Sequence, residues 1–265
     1  MQNKRKVIYY GDETKELEVE YPGLGVKRKP IPKNFKYVSK NPFYIFITFI
    51  VYQIIARPVV WLIMKFGYAY KIKNRKALKQ VKKSGYYIYG NHTATMPDAF
   101  QCNLLNKLKK NYVIVGPETV SIKGIKNIVM MLGAIPLGDS LETKMGFLSC
   151  LKTRIRSGSS IMIYPEKHIW PYYTKIRPLD VETFRFPVSH DVPCFSLTTT
   201  YHKRRFSKRA KLITYVDGPF YPDKNLKPSE AKEKLKNQVY EAMIIRSSQV
   251  PQYEYIKYIS KNSAD

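Results

Sequence analysis

From residue 69 onward, short apolar runs alternate with amphipathic ones, and this alternation does most to limit the folds open to the chain. Residues 70–72, 86–89, 112–115, 134–137, 161–164, 194–201 and 212–216 have the length and composition of strands. Residues 75–82, 99–107, 125–132, 143–156 and 229–245 have helical spacing. Strands that alternate with helices predict an α/β domain over 69–265, with a largely parallel mixed sheet flanked by helices. Ligands of such a sheet collect at the carboxyl ends of its strands.

One strand end carries chemistry. The strand at 86–89 is broken by Gly90 and Asn91, and Pro97 with Asp98 opens the helix expected from 99. His92 therefore lies in a turn with a carboxylate, Asp98, on the same turn. An imidazole takes a proton near neutral pH. A neighbouring carboxylate holds its tautomer and stabilises the imidazolium. That is the minimum for general-base catalysis. The competing reading is a locally satisfied turn histidine, with Asp98 as a helix N-cap.

Composition narrows the partners. A formal net charge of +26, from 46 basic and 20 acidic residues, attracts polyanions such as anionic lipid, nucleic acid or an acidic protein. The basic residues are spread along the chain without a base-reading motif, so nucleic acid is not expected. His168, His190 and His202 lack metal-ligand spacing, so no metal site is expected. Cys102, Cys150 and Cys194 have no paired spacing, which argues against a disulfide framework and a zinc site and fits a reducing compartment.

Residues 1–40 read as a basic, extended arm containing Pro22, Pro30 and Pro32, with a short strand at 17–21. Its start is polar and lacks the apolar core of a signal peptide. Residues 41–68 are rich in Phe, Ile and Tyr and are interrupted by Arg57 and Pro58. Each piece is shorter than the roughly 20 residues of a spanning helix. We read a helical hairpin or kinked helix dipping into one leaflet from the cytoplasmic face. Lys33, Lys36 and Lys40 before it and Lys65, Lys71 and Lys73 after it would contact an anionic membrane surface. A buried core helix and a single kinked span are the alternatives.

Three further stretches fall at strand ends: Gly133-Ala-Ile-Pro-Leu-Gly-Asp139, Ile161-Met-Ile-Tyr-Pro-Glu-Lys-His-Ile-Trp-Pro171 and Asp191-Val-Pro-Cys-Phe-Ser-Leu197. With the His92–Asp98 turn, their order and spacing over residues 70–220 resembles the glycerolipid acyltransferases, the lysophosphatidic-acid-acyltransferase-like family. That family carries a His and an Asp separated by four residues, a glycine-led strand ending in a phosphate-binding Arg, a Phe-Pro-Glu-Gly-Thr-Arg block and a Val-Pro strand. Here five residues separate His92 from Asp98. Asp139 stands in place of the Arg, and Lys167, His168 and Ile169 stand in place of Gly, Thr and Arg.

The resemblance implies a membrane-associated O-acyltransferase that needs no cofactor. His92 would deprotonate an acceptor hydroxyl, which attacks an acyl thioester, and Asp98 would orient the ring. Backbone amides near a helix start would stabilise the oxyanion. Glu166 would order the site or bind acceptor hydroxyls, or serve as a structural carboxylate. Lys167, His168, Lys175 or Arg177 would supply charge for the acceptor. The donor would be acyl-CoA or acyl-carrier protein. The acceptor would be a lysophospholipid, foremost 1-acylglycerol-3-phosphate. The aromatic run 170–173 reads as a rim or membrane contact. The basic loop 202–211 reads as a solvated hairpin, or as a contact for anionic lipid or acyl-carrier protein. The alternative to an enzyme is an altered relative that binds membrane or lipid without acyl transfer.

Overall fold

The computed structural model describes residues 6–15, 29–81, 84–106, 110–121, 124, 126–205 and 207–261. The strand expected at 17–21 lies outside them. Nine strands are described: β1 (Lys6–Tyr10), β2 (Lys71–Lys73), β3 (Tyr86–Gly90), β4 (Asn111–Val115), β5 (Ala134–Pro136), β6 (Ser160–Ile163), β7 (Cys194–His202), β8 (Lys211–Phe220) and β9 (Ile256–Ser260). The helices are α1 (Pro42–Gly67), α2 (Thr95–Phe100), α3 (Lys126–Met131), α4 (Leu141–Arg156), α5 (Arg185–His190) and α6 (Pro228–Ser248).

Seven strands form one sheet in the order β2-β8-β7-β3-β6-β4-β5. Every neighbouring pair is parallel except β7 and β8, which join as an antiparallel hairpin. The fold is thus α/β with a mostly parallel mixed sheet. β3, at its centre, is buried at every residue, as a strand covered on both faces must be. Its side chains alternate between two cores. Tyr87 and Tyr89 pack with Phe147 and Leu151 of α4 and with Leu235 and Val239 of α6. Tyr86 and Ile88 face Leu78, Cys102, Leu105 and Met162 on the other side. Ala231, Leu235, Val239 and Met243 recur at four-residue steps, and this stripe seats α6.

The interruption expected at Arg57 and Pro58 does not break α1, which runs on for 26 residues. Pro58 has no N–H for the helical ladder. The turn before it, Ile50–Ala56, is wound as a π-helix, and the Arg57 N–H reaches back to the Tyr52 carbonyl. The Arg57 guanidinium donates to Gln53 Oε1 at 2.7 Å and to the Asn106 carbonyl. A stripe of Tyr52, Val60 and Met64 packs on the domain, while Phe43, Phe46, Phe49, Ile54 and Phe66 stay exposed. By length and composition α1 could cross a bilayer.

The arm also packs on the domain. β1 pairs in parallel with β9 as a separate two-stranded sheet. Ile31 and Tyr37 are buried, and the Ile31 N–H donates to Asp139 Oδ2 at 3.0 Å.

Candidate active site

β3 delivers Asn91 and His92 to the carboxyl edge of the sheet. The Asn91 side chain continues the β3–β7 ladder by bonding both backbone groups of Thr199, accepting from N–H at 2.8 Å and donating to the carbonyl at 3.0 Å. The chain then turns into α2, which begins at Thr95 rather than at 99. Pro97 does not delay it, because a first-turn residue needs no N–H for the ladder. The earlier start places Asp98 inside the helix, where its carboxylate reaches back to the Ala94 N–H at 3.0 Å.

The five-residue spacing brings the two groups together. His92 Nδ1 lies 2.8 Å from Asp98 Oδ2. Asp98 is 1% exposed, and Gln101 Nε2 donates to its Oδ1 at 3.0 Å. Burial pushes the Asp98 carboxyl above its ordinary pKa, opposed by His92 and the Ala94 N–H. With Nδ1 on the carboxylate, Nε2 is the nitrogen left for chemistry, and the His92 side chain keeps 24% of its surface exposed.

Two residues of this site were not singled out from the sequence. The Tyr164 ring stacks on His92 with centroids 4.4 Å apart and planes 21° apart, and its hydroxyl donates to the Asp98 carbonyl at 2.6 Å. Gln101 also donates to the Tyr164 hydroxyl at 3.1 Å, and its Oε1 accepts from Thr199 and Thr214. Gly90 makes room for the stack, since a Cβ there would lie 2.3 Å from Met162 Cε and 2.9 Å from Tyr164 Cε1. The available signal was positional: Tyr164 occupies the aromatic place of the Phe-Pro-Glu block.

Glu166 lies beneath the histidine turn. Its Oε2 accepts from the His92 N–H and from Arg177 Nη2, both at 2.9 Å, and its Oε1 accepts from the Arg177 N–H at 3.0 Å. Burial raises its pKa, and the Arg177 charge is the chief opposing influence. Glu166 is 4% exposed and Arg177 0%. Of the readings open for Glu166, the geometry matches the one in which it orders the site: both groups bond to protein, and together they hold the backbone that carries His92. Arg177 also donates to the His168 carbonyl and lies 4.9 Å from the Trp170 ring. The Trp170 and Tyr172 N–H groups donate to the His92 and Thr93 carbonyls, zipping the following loop to the turn.

Of the other cations, Lys167 pairs with Asp180 at 3.0 Å and has φ +65° at the place where the family block carries glycine. His168 is half-buried and Lys175 is exposed. The aromatic run is not a rim, because Trp170 and Tyr173 are buried beneath Tyr10 of β1 and Tyr258 of β9. In the basic hairpin, Arg204 Nη2 donates to the Gly67 carbonyl at the end of α1.

No protein-family model matches the chain, and no curated protein matches it. Among solved structures it is similar to that of the 1-acyl-sn-glycerophosphate (LPA) acyltransferase PlsC from Thermotoga maritima. The TM-score is 0.52 and the identity 15%, over 79% of this chain and 89% of that one. The chain therefore has a fold resembling that acyltransferase.

Proposed function

We propose that the chain is a membrane-associated O-acyltransferase that moves a fatty acyl group from an acyl thioester to the hydroxyl of a lysophospholipid. The observation that carries this reading is the partly exposed His92 imidazole held through Nδ1 by buried Asp98 at the carboxyl end of a central parallel strand. His92 Nε2 takes the proton of the acceptor hydroxyl as its oxygen attacks the thioester carbonyl. Asp98 balances the imidazolium. Collapse of the tetrahedral intermediate expels the thiolate, which takes the proton back from Nε2, so no covalent acyl-enzyme is required.

Glu166 and Arg177 act as positioning residues for the His92 backbone. Lys167, His168 and Lys175 are the candidate acceptor contacts, since Asp139 replaces the family's Arg and bonds the arm instead. The exposed apolar face of α1 seats the protein on a membrane, with 1-acylglycerol-3-phosphate the leading acceptor and acyl-CoA or acyl-carrier protein the donor. The test offers labelled acyl thioesters with a panel of lysophospholipids and identifies products by mass spectrometry. Formation of a diacyl phospholipid supports the reading. Thioester hydrolysis alone, or no turnover of any donor, overturns it.

A further inference from the structure

A cavity of about 640 Å³ lies between α1, residues 32–39, β4, α3 and the end of α4. It is remote from His92. Tyr112 of β4 is in register with Ile161 of β6, which is in register with Tyr87 of β3. His92 lies five residues beyond Tyr87, or about 17 Å along the strand direction.

The lining is cationic and aromatic. Lys36, Lys110, Lys126 and Arg154 all contribute, and no Asp or Glu is among the described residues that line it. Their charges face ring surfaces: Lys110 Nζ lies 5.3 Å from the Tyr52 ring and 5.2 Å from Tyr112, and the Arg154 guanidinium 4.6 Å from Tyr112. Three of the lining residues also carry a buried polar atom with no hydrogen-bond partner: Tyr37 Oη, Thr48 Oγ1 and Arg154 Nε. Tyr37 as a whole is only 7% exposed. Four cations set against ring faces, with no carboxylate among the described lining residues, suit a ligand that carries negative charge. Burial, with Arg154 beside it, also lowers the Lys110 ammonium to about 7, the response of a site short of negative charge. The remaining wall mixes apolar Ile45, Phe49 and Met130 with polar Asn34, Gln53 and Asn127. It is continuous with the exposed face of α1, where Phe43 and Phe46 are 72% and 59% exposed.

We infer that this cavity binds an anionic phospholipid, its phosphate among Lys36, Lys110, Lys126 and Arg154 and its acyl chains leaving over Ile45 and Phe49 into the bilayer. The site shares the membrane contact of α1 with the proposed function but makes no use of His92, so it stands if acyl transfer fails. A headgroup here would hold α1 flat against the domain.

The test uses the full chain on phosphatidylcholine vesicles with and without about a fifth of phosphatidylglycerol, including a phosphatidylglycerol photoreactive at its glycerol. Headgroup cross-links should map to residues 126–131 and 36–39, which are off the exposed face of α1. Lys36→Glu with Lys126→Glu, both exposed and tolerant of change, should lower cross-linking and anionic-vesicle binding about tenfold or more. Lys203→Glu with Lys208→Glu, an equal charge reversal on the hairpin, should leave those cross-links in place. Three results would overturn the inference: cross-links confined to the outer face of α1, equal losses in both double variants, or complete displacement by inorganic phosphate, which would mark a soluble-anion site. The cross-linking map of the unaltered chain decides the matter even if a variant fails to fold.

Discussion

Replacing Asp98 with Asn separates the chemistry of the site from its stability. The carboxylate accepts from His92 Nδ1 and the Ala94 N–H through one oxygen and from Gln101 Nε2 through the other. An amide offers a single oxygen. Turned toward His92, it presents its NH₂ to the NH₂ of Gln101, which must then flip and abandon its contacts with Thr199 and Thr214. The larger loss is the countercharge to the imidazolium. Unit charges about 4 Å apart interact by about 4 kcal/mol at an effective dielectric near 20. At about 1.36 kcal/mol per tenfold, the variant should lose about 10³-fold in rate.

Stability should move the other way with pH. Burial raises the Asp98 pKa, so the folded chain holds this proton more tightly than the unfolded one. Native stability therefore falls as pH rises from about 3.9, the ordinary Asp value, through the raised one. The Asp98→Asn variant lacks that loss. Its melting temperature, measured against the native chain across this range, should gain with rising pH while acyl transfer stays low. A rate within tenfold of native, or a variant that loses relative stability as pH rises, refutes the reasoning.

Other perturbations have definite signs. Arg177→Met leaves Glu166 buried without its partner and should cost about 3–5 kcal/mol in chemical unfolding, whereas exchanging both Glu166 and Arg177 for apolar residues should cost less. Gly90→Ala drives a methyl into Met162 and Tyr164 and should cost about 1–3 kcal/mol, with activity falling as the ring stacked on His92 is displaced. Lys110→Met removes an ammonium lowered from 10.5 to about 7 by burial. The native chain carries that penalty below pH about 7 and sheds it as pH rises toward about 10. The variant should thus be more stable by about 5 kcal/mol at pH about 6, with the gap closing at alkaline pH in thermal melts.

The sheet was legible because its central strands are continuous apolar runs. The strands at 86–89, 161–164 and 194–201 lie within two residues of β3, β6 and β7. The β1–β9 pair was not, since its partners are about 250 residues apart in sequence and each strand has a single buried residue, leaving no local pattern. The continuity of α1 was not legible, because Pro58 reads as a breaker in sequence, whereas a π-helical turn absorbs it in three dimensions. At the site, His92 and Asp98 were legible from residue type and turn position. Tyr164 and Gln101 act through stacking and amide hydrogen bonds that only the folded chain assembles. For Glu166 the sequence left site-ordering, acceptor-binding and structural roles open, and Arg177 read as a charge for the acceptor, because sequence does not show that the following loop folds back over them.

The most direct measurement is acyl transfer from a labelled acyl thioester to lysophospholipid in vesicles, native chain against His92→Ala. Removal of the general base predicts a loss of about 10²–10⁴-fold with vesicle binding unchanged. Equal transfer by the two proteins, or none by either while both still bind vesicles, would contradict the catalytic assignment.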